Sequence, residues 1–141
     1  MDDATEAQPA SLPTPSAVVT RAEIVPGLVL HLDPDELERS GGTYSCAKPF
    51  RVQGGHFFVC LSVSDQEARW LPLYTNDGPG RTLLTGSRSG HSKWTGATTY
   101  YHSGQIWTAD HAAIAAAALA GRDLSTPGAR NMLSRDDIPA I

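Results

Sequence analysis

The segment from His56 to Val63 constrains the fold of this chain most, because it is a nearly continuous apolar run of strand length. Four polar residues, Ser64 to Glu67, connect it to a second apolar segment that ends at Thr75. Two apolar runs joined by a short polar connection predict a pair of antiparallel strands. Pro72 lies in the second run and has no amide hydrogen, so it must occupy an edge, a bulge or an outward-facing position.

Other strand and helix signals surround this pair. After the Pro26-Gly27 turn, leucines at positions 28, 30 and 32 alternate with two other residues, which predicts the first strand. Asp33 followed by Pro34 predicts the start of a short helix or turn that ends at Gly41. Further strands are predicted at 81–85, 97–102 and 105–108, an alanine-rich helix at 111–120 with Asp110 as its N-cap, and short C-terminal helices at Thr126-Pro127 and after Ser134.

This order of elements predicts one globular domain. Five or six short strands with hairpin connections, glycine-rich corners and a late helix are typical of a mainly β protein with appended helices, built as a small, partly open barrel. An α+β sandwich is the alternative. We expect the domain to span residues 21–141, because residues 1–20 hold three prolines and no aromatic side chain and therefore predict a disordered tail.

The charge is unevenly distributed along the chain. The formal net charge is −4, yet residues 1–38 carry eight acidic side chains against one arginine, whereas residues 39–110 carry seven basic side chains against four acidic ones. The basic middle permits contact with a polyanion. The acidic start and the lack of an apolar stretch of about 20 residues predict a cytoplasmic protein without a membrane span.

Several kinds of site are disfavoured by the motifs that the sequence lacks. It has no P-loop, no Gly-x-Gly-x-x-Gly pattern after a strand, no His-Glu-x-x-His and no Gly-x-Ser-x-Gly. Its two cysteines, Cys46 and Cys60, are not closely spaced, and Cys60 is expected to be a small buried side chain in a strand. The sequence therefore predicts neither a metal site nor a cofactor.

A polar and cationic set in the middle of the chain provides the candidate chemistry. Cleavage of RNA without a metal needs a base for the 2′-hydroxyl proton, an acid for the leaving 5′-oxygen, and cations or N–H donors for the charge that develops on the phosphate. Residue types that can supply these roles are Lys48, Arg51, His56, Thr75, Arg81, Arg88, His91, Lys93 and His102. Each also has a structural interpretation, as a solvated loop charge or a hydrogen-bonded strand residue.

The segment from Arg88 to Trp94 has two interpretations of equal weight. Its basic residues fit contact with phosphates while Trp94 stacks on a base. They fit equally a flexible loop that is anchored by one tryptophan.

The chain resembles the PemK/MazF-like toxins in the order of four segments, namely Val25-Pro26-Gly27-Leu28-Val29-Leu30, Lys48-Pro49, Phe57 to Val63, and Pro72-Leu73-Tyr74-Thr75. The resemblance implies a dimeric SH3-like barrel that acts as a metal-independent endoribonuclease on single-stranded RNA and is neutralised by a partner antitoxin. It also implies that Lys48 stands where the family has its catalytic arginine, and Thr75 where the family has its catalytic threonine or serine.

Two departures from that family pattern affect the site. Lysine lacks the planar guanidinium of arginine, and Arg51 is the nearby residue able to replace it. The spacing from Pro72 to Thr75 is one residue longer than in the family, so either Tyr74 or Thr75 takes the functional position.

The predicted catalytic residues are Lys48, Arg51, Thr75, His56 and His102, and the predicted RNA-binding residues are Arg81, Arg88, His91, Lys93 and Trp94. Two other functions stay open. One is a non-catalytic SH3-like adaptor that binds a protein or peptide through surface aromatics, namely Tyr44, Trp70, Tyr74 and Trp94. The other is an inactive relative that binds RNA without cleaving it.

Overall fold

A computed structural model describes residues 19–118 and 129–141 of the protein. The strands are β1 (Leu28–Leu32), β2 (Thr43–Tyr44), β3 (His56–Val63), β4 (Glu67–Pro72), β5 (Arg81–Leu83), β6 (Arg88–Ser89), β7 (Tyr100–His102), β8 (Trp107–Asp110) and β9 (Asn131–Leu133). The helices are α1 (Pro34–Arg39), α2 (Ser92–Thr95) and α3 (His111–Ala117), and short 3-10 turns lie at Arg21–Glu23, Lys48–Phe50 and Arg135–Asp137.

Seven strands form one antiparallel sheet in the order β2-β8-β4-β3-β1-β9-β6, and β5 and β7 form a separate two-stranded ribbon. The prediction of a mainly β protein with appended helices is confirmed. Within residues 19–118 and 129–141, no pairing joins β2 to β6, so the sheet has two edges and is not a closed barrel. In the same part of the chain, no helix is long and apolar enough to cross a membrane.

The predicted hairpin forms the centre of the sheet. β3 and β4 pair antiparallel, with Val59 opposite Leu71, and the register shifts between Cys60 and Ser62. Pro72 ends β4, and the next amide, that of Leu73, donates to the Phe57 carbonyl of β3 at 2.8 Å. Because successive amides point to opposite sides of a strand, the proline nitrogen faces away from β3, beyond the end of the pairing with β8.

The large sheet is buried on both faces, which explains why its central strands are almost continuously apolar. In β1, the leucines at positions 28, 30 and 32 pack with Leu37 of α1 and Ile114 of α3 in one core. Val29 faces the opposite side and packs in a second core that includes Leu71, Trp94 and Leu133. Cys60 is also fully buried, as predicted, and burial raises the pKa of its thiol to about 12.

The helix caps follow their local signals. The Asp33 carboxylate accepts from the Asp35 amide at 3.0 Å at the start of α1, and the Asp110 carboxylate accepts from the Ala113 amide at 2.8 Å at the start of α3. The predicted late helix is therefore confirmed from His111 to Ala117, while the predicted Thr126-Pro127 helix and the tail up to residue 18 lie outside the described residues.

The C-terminal segment was predicted to contain only short helices, and the structure corrects this prediction. Residues Asn131–Leu133 form a strand, β9, that pairs with β1 and β6. Leu133 is buried there, because the second core offers an apolar surface that a solvent-exposed helix would not reach. After Ser134 the chain makes only the 3-10 turn Arg135–Asp137, and the Ser134 side chain makes no capping hydrogen bond.

The β5–β7 ribbon is attached to the end of β4. Tyr74 and Tyr100 exchange two backbone hydrogen bonds of 2.8 Å each, which fix β7 beside the residues that follow Pro72. In the ribbon, Arg81 is directly opposite His102. The ribbon and the loop that contains Phe50 thereby enclose a cleft.

Candidate functional site

Two adjoining depressions form this cleft, and both are lined by Phe50, Tyr74 and Arg81. We call the first the aromatic cavity; it has a volume of about 460 Å³ and is lined by Cys46, Phe50, Tyr74, Pro79, Arg81, His102 and Gln105. We call the second the polar groove; it has a volume of about 350 Å³ and is lined by Phe50, Arg51, Val52, Gln53, His56, Tyr74, Thr75, Asn76 and Arg81. The Phe50 side chain, 75% exposed, lies where the two meet.

A buried glutamine organises the floor of the cleft. The Gln105 Oε1 atom accepts from the Val52 amide at 2.9 Å and from the Trp107 indole Nε1 at 3.0 Å. Both of these partners are donors only, so the orientation of the Gln105 amide is fixed. Its Nε2 atom therefore donates to the Tyr74 hydroxyl at 2.8 Å, and also to the Phe50 carbonyl at 3.3 Å.

Tyr74 connects this floor to the surface of the cleft. Burial raises the pKa of its hydroxyl, which therefore keeps its proton at neutral pH. Because the oxygen accepts from Gln105, the proton is left to donate elsewhere, and no group in the described part of the chain accepts it.

Arg81 is the cation at the mouth of the cleft. Its guanidinium lies 3.8 Å from the centroid of the Tyr74 ring, and its Nη1 atom donates to the Asn76 carbonyl at 2.9 Å. Among residues 19–118 and 129–141, no carboxylate forms an ion pair with it. The charge of Arg81 is thus available to an anion.

The two predicted catalytic histidines are held by backbone groups. The His56 Nδ1 atom lies 2.9 Å from the Leu73 carbonyl oxygen, and its Nε2 atom lies 3.0 Å from the Gln53 carbonyl oxygen. Both partners are acceptors, so only the doubly protonated imidazolium makes both bonds. The His102 Nδ1 atom instead accepts from the Gly104 amide at 2.9 Å, which puts the proton of the neutral ring on Nε2.

Arg51 and Lys48 occupy different surroundings. Arg51 is 7% exposed, lines the polar groove and is paired with Asp35 and with Glu38, whose Oε1 lies 2.9 Å from Nε of the arginine. The Arg51 guanidinium holds the pKa of Glu38 below its usual value. The Lys48 ammonium is 3.6 Å from Glu38, is 79% exposed and lines a neighbouring, mixed-charge depression, which shares Arg51 and Gln53 with the polar groove but does not contain Thr75. The structure therefore brings Arg51, rather than Lys48, into the cleft that contains Thr75.

The segment from Arg88 to Trp94 is not an RNA-stacking surface. Trp94 is fully buried and its indole Nε1 donates to the Met132 carbonyl at 3.0 Å, so it has no face free for a base. The Arg88 guanidinium lies 4.1 Å from the centroid of that ring and donates to the carbonyls of Trp94 and Ala97. Burial lowers the pKa of Arg88. These two residues anchor the segment to the core instead.

The other predicted RNA-binding residues divide between two places. His91 and Lys93 are exposed beside β6, where the His91 Nδ1 atom accepts from the Lys93 amide at 3.1 Å and caps α2. Neither lines the cleft, whereas Arg81 does. Two of the four aromatic residues predicted to form an adaptor surface, Trp70 and Trp94, are fully buried and cannot contact a partner.

Several lining residues of the cleft were missed by the sequence analysis, and Phe50 and Gln105 matter most among them. Phe50 stands between Pro49 and Arg51, and an aromatic next to a basic residue is the signal that could have indicated a nucleic-acid contact. Gln105 had no local signal, because its role depends on Val52 and Tyr74, which are far from it in the sequence.

Among residues 19–118 and 129–141, no group of three His, Cys, Asp or Glu side chains is placed to hold a metal ion. Comparisons of the chain with protein-family models, with curated protein sequences and with solved structures gave no match.

Proposed function

We propose that the cleft binds single-stranded RNA and cleaves it without a metal, by attack of a 2′-hydroxyl on the adjacent phosphorus. The observation that carries this proposal is the placement of Arg81, a cation without a carboxylate partner in the described chain, beside the exposed ring of Phe50. A single-stranded nucleic acid offers a phosphate for the first and a base face for the second.

The two depressions divide these contacts between them. The polar groove offers Arg81 and the Thr75 hydroxyl as donors to a phosphate, beside His56, whose ring nitrogens are engaged by backbone carbonyls. The aromatic cavity offers the Phe50 ring and the Tyr74 hydroxyl to the neighbouring base. Both depressions share Arg81, so a phosphate bound by Arg81 would lie next to its base.

The cleavage step requires the 2′-oxygen to form a bond to phosphorus as the bond from phosphorus to the 5′-oxygen breaks. The products are a 2′,3′-cyclic phosphate and a free 5′-hydroxyl, with the 2′-hydroxyl proton lost to solvent and a proton gained by the 5′-oxygen. Arg81 and the Thr75 hydroxyl stabilise the extra charge of the intermediate. Electrostatic stabilisation carries the rate, because backbone groups already hold both ring nitrogens of His56 and the Nδ1 atom of His102.

The resemblance to PemK/MazF-like toxins supports a wider proposal. The Pro26-Gly27 turn precedes β1, the Lys48–Phe50 turn precedes β3, and Pro72 ends β4, in the order that the resemblance uses. We therefore propose a cytoplasmic toxin, acting as a homodimer, that is silenced by an antitoxin protein. An acidic segment of that antitoxin that reached Arg81 would compete directly with RNA.

The test is incubation of the purified protein with a mixed RNA in EDTA. We expect cleavage that leaves 2′,3′-cyclic phosphate ends, and a loss of about a hundredfold in rate for Arg81→Ala, the size typical for removal of one charge-stabilising donor. Arg135→Ala is the matched control, because Arg135 is exposed and does not line the cleft. Intact RNA at high protein concentration, with the protein folded and free of antitoxin, contradicts the proposal.

A second candidate is an RNA-binding relative without turnover. The engagement of both His56 ring nitrogens and of His102 Nδ1 by backbone groups favours it, because the neutral His102 ring then carries its proton on Nε2 and neither histidine presents a free lone pair in the described cleft. The same experiment separates the two functions. RNA that is bound but left intact, with binding lost in Arg81→Ala, identifies the binding protein.

A further inference from the structure

The polar side chains of the aromatic cavity present donors. Tyr74 is one of them, because the Gln105 amide donates to its oxygen and leaves the hydroxyl proton free. The Gln105 amide must be the donor in this hydrogen bond, because the Val52 amide and the Trp107 indole both donate to Gln105 Oε1 and fix the orientation of the side-chain amide.

His102 and Arg81 are the other two donors. The Gly104 amide occupies the His102 Nδ1 atom, so the neutral ring presents its N–H at Nε2. A guanidinium has no acceptor atom. These two residues are cross-strand neighbours in the ribbon, so both reach the same wall of the cavity.

The acceptors of the cavity lining are already used. The Gln105 Oε1 atom holds two donors, and the Phe50 carbonyl accepts from the Gln105 amide. Among the side chains of the lining, the remaining polar atom is the Cys46 sulfur, a weak partner in either direction, and burial raises the pKa of this thiol so that it stays protonated. The cavity therefore fits a ligand edge that carries acceptors.

We propose that the aromatic cavity is a base pocket that selects a keto base, guanine or uracil, over an amino base, adenine or cytosine. The volume of about 460 Å³ is that of a small-molecule pocket, and the exposed ring of Phe50 supplies a face for stacking. Where guanine carries O6 and uracil carries O4, adenine and cytosine carry an amino group, which cannot accept from the donors and leaves them unpaired. The inference rests on the proposed function, and it adds the class of base that is read.

The test compares nucleotides that differ in one group. IMP and AMP differ in a keto or amino group on one purine ring, and UMP and CMP differ in the same way on a pyrimidine ring. We expect calorimetric titration of the full chain to give dissociation constants at least about tenfold lower for IMP than for AMP, and for UMP than for CMP. Equal or reversed affinities, or no binding of any of the four, overturn the proposal.

Variants identify the donors responsible. Tyr74→Phe keeps the ring and removes one donor, and His102→Ala removes another, so each should reduce the keto preference several-fold. Tyr101→Phe and His91→Ala are matched controls: Tyr101 lies in the same ribbon, and His91 also accepts a backbone amide at Nδ1, but neither lines the cavity. A keto preference unchanged in both Tyr74→Phe and His102→Ala also overturns the proposal, provided both variants fold by circular dichroism.

Cleavage is scored separately, so the two proposals fail in different ways. Cleavage of RNA together with no base preference contradicts the base pocket and supports the nuclease. A preference for IMP and UMP together with intact RNA contradicts the nuclease and supports the base pocket.

Discussion

At the scale of single residues, the cleft depends on Gln105 more than on any charged side chain. Gln105 is 3% exposed, and its amide satisfies the Val52 amide, the Trp107 indole and the Phe50 carbonyl while it holds the Tyr74 hydroxyl. A buried amide with all its partners placed fixes both a core position and the polarity of the surface above it.

Gln105→Met is the variant that tests this role. Methionine fills a similar volume but leaves the Val52 amide and the Trp107 indole without an acceptor, which should reduce the free energy of unfolding by about 2 kcal/mol or more. Urea denaturation measures the change. Gln66→Met, at an exposed position of the β3–β4 connection, should stay within about 0.5 kcal/mol of the wild type. Equal losses in the two variants contradict the role of Gln105.

At the scale of elements, the β5–β7 ribbon builds the wall of the cleft. The pairing of Arg81 with His102 sets these side chains together, and the Tyr74–Tyr100 bridge fixes the ribbon against the end of β4. Gly80, which precedes β5, has a φ of +73° and lies close to the imidazole of His102. The absence of a side chain at Gly80 gives the imidazole its room.

Gly80→Ala and Gly54→Ala together separate backbone strain from loss of the wall. Both glycines have left-handed φ angles, of +73° and +71°, so each alanine should destabilise the fold by about 1 kcal/mol. A Cβ atom at position 80 would stand 2.6 Å from the His102 Nε2 atom, whereas one at position 54 would meet nothing within 4 Å. Because the backbone strain is similar, the two variants should have similar melting temperatures. Because only the Cβ atom at position 80 meets His102, only Gly80→Ala should weaken nucleotide binding, as measured by calorimetry. Unchanged binding in Gly80→Ala would show that His102 does not shape the cavity.

At the scale of the whole molecule, several basic side chains are compensated locally by carboxylates in the described chain. The net charge is −4, and Arg39, Arg51 and Arg130 each pair with a glutamate in the described chain. An RNA strand bound in the cleft then meets few available cations, chiefly Arg81 and the imidazolium form of His56. Affinity for RNA should come from a small number of phosphates together with base contacts.

The salt dependence of RNA binding measures this number. With about two phosphates neutralised, a plot of log K against log salt concentration should have a slope of about −1.4 for a single strand. Fluorescence anisotropy of a labelled oligonucleotide across a salt series gives the slope, and Lys93→Ala should leave it unchanged because Lys93 does not line the cleft. A slope steeper than about −4 would point instead to a broad basic surface.

Much of the fold was predictable because its signals are local. The alternation of leucines in β1, the apolar run of β3 and the caps at Asp33 and Asp110 act over neighbouring residues. Less of the cleft was predictable. Arg81, Thr75, Arg51 and the two histidines were named from their chemistry, but nothing near Lys48 in the sequence shows that it lies beside Glu38, in the depression next to the polar groove.

The sequence by itself determined that β1, β3 and β4 are strands and where α1 and α3 begin, because a strand's period and a helix cap are set within a few residues. Only the tertiary structure decided that Trp94 is buried, that residues 131–133 form a strand and that Gln105 orients Tyr74. Each of these depends on a partner distant in the chain, such as β1 for β9 and β7 for Tyr74, and burial is set by those partners rather than by residue type.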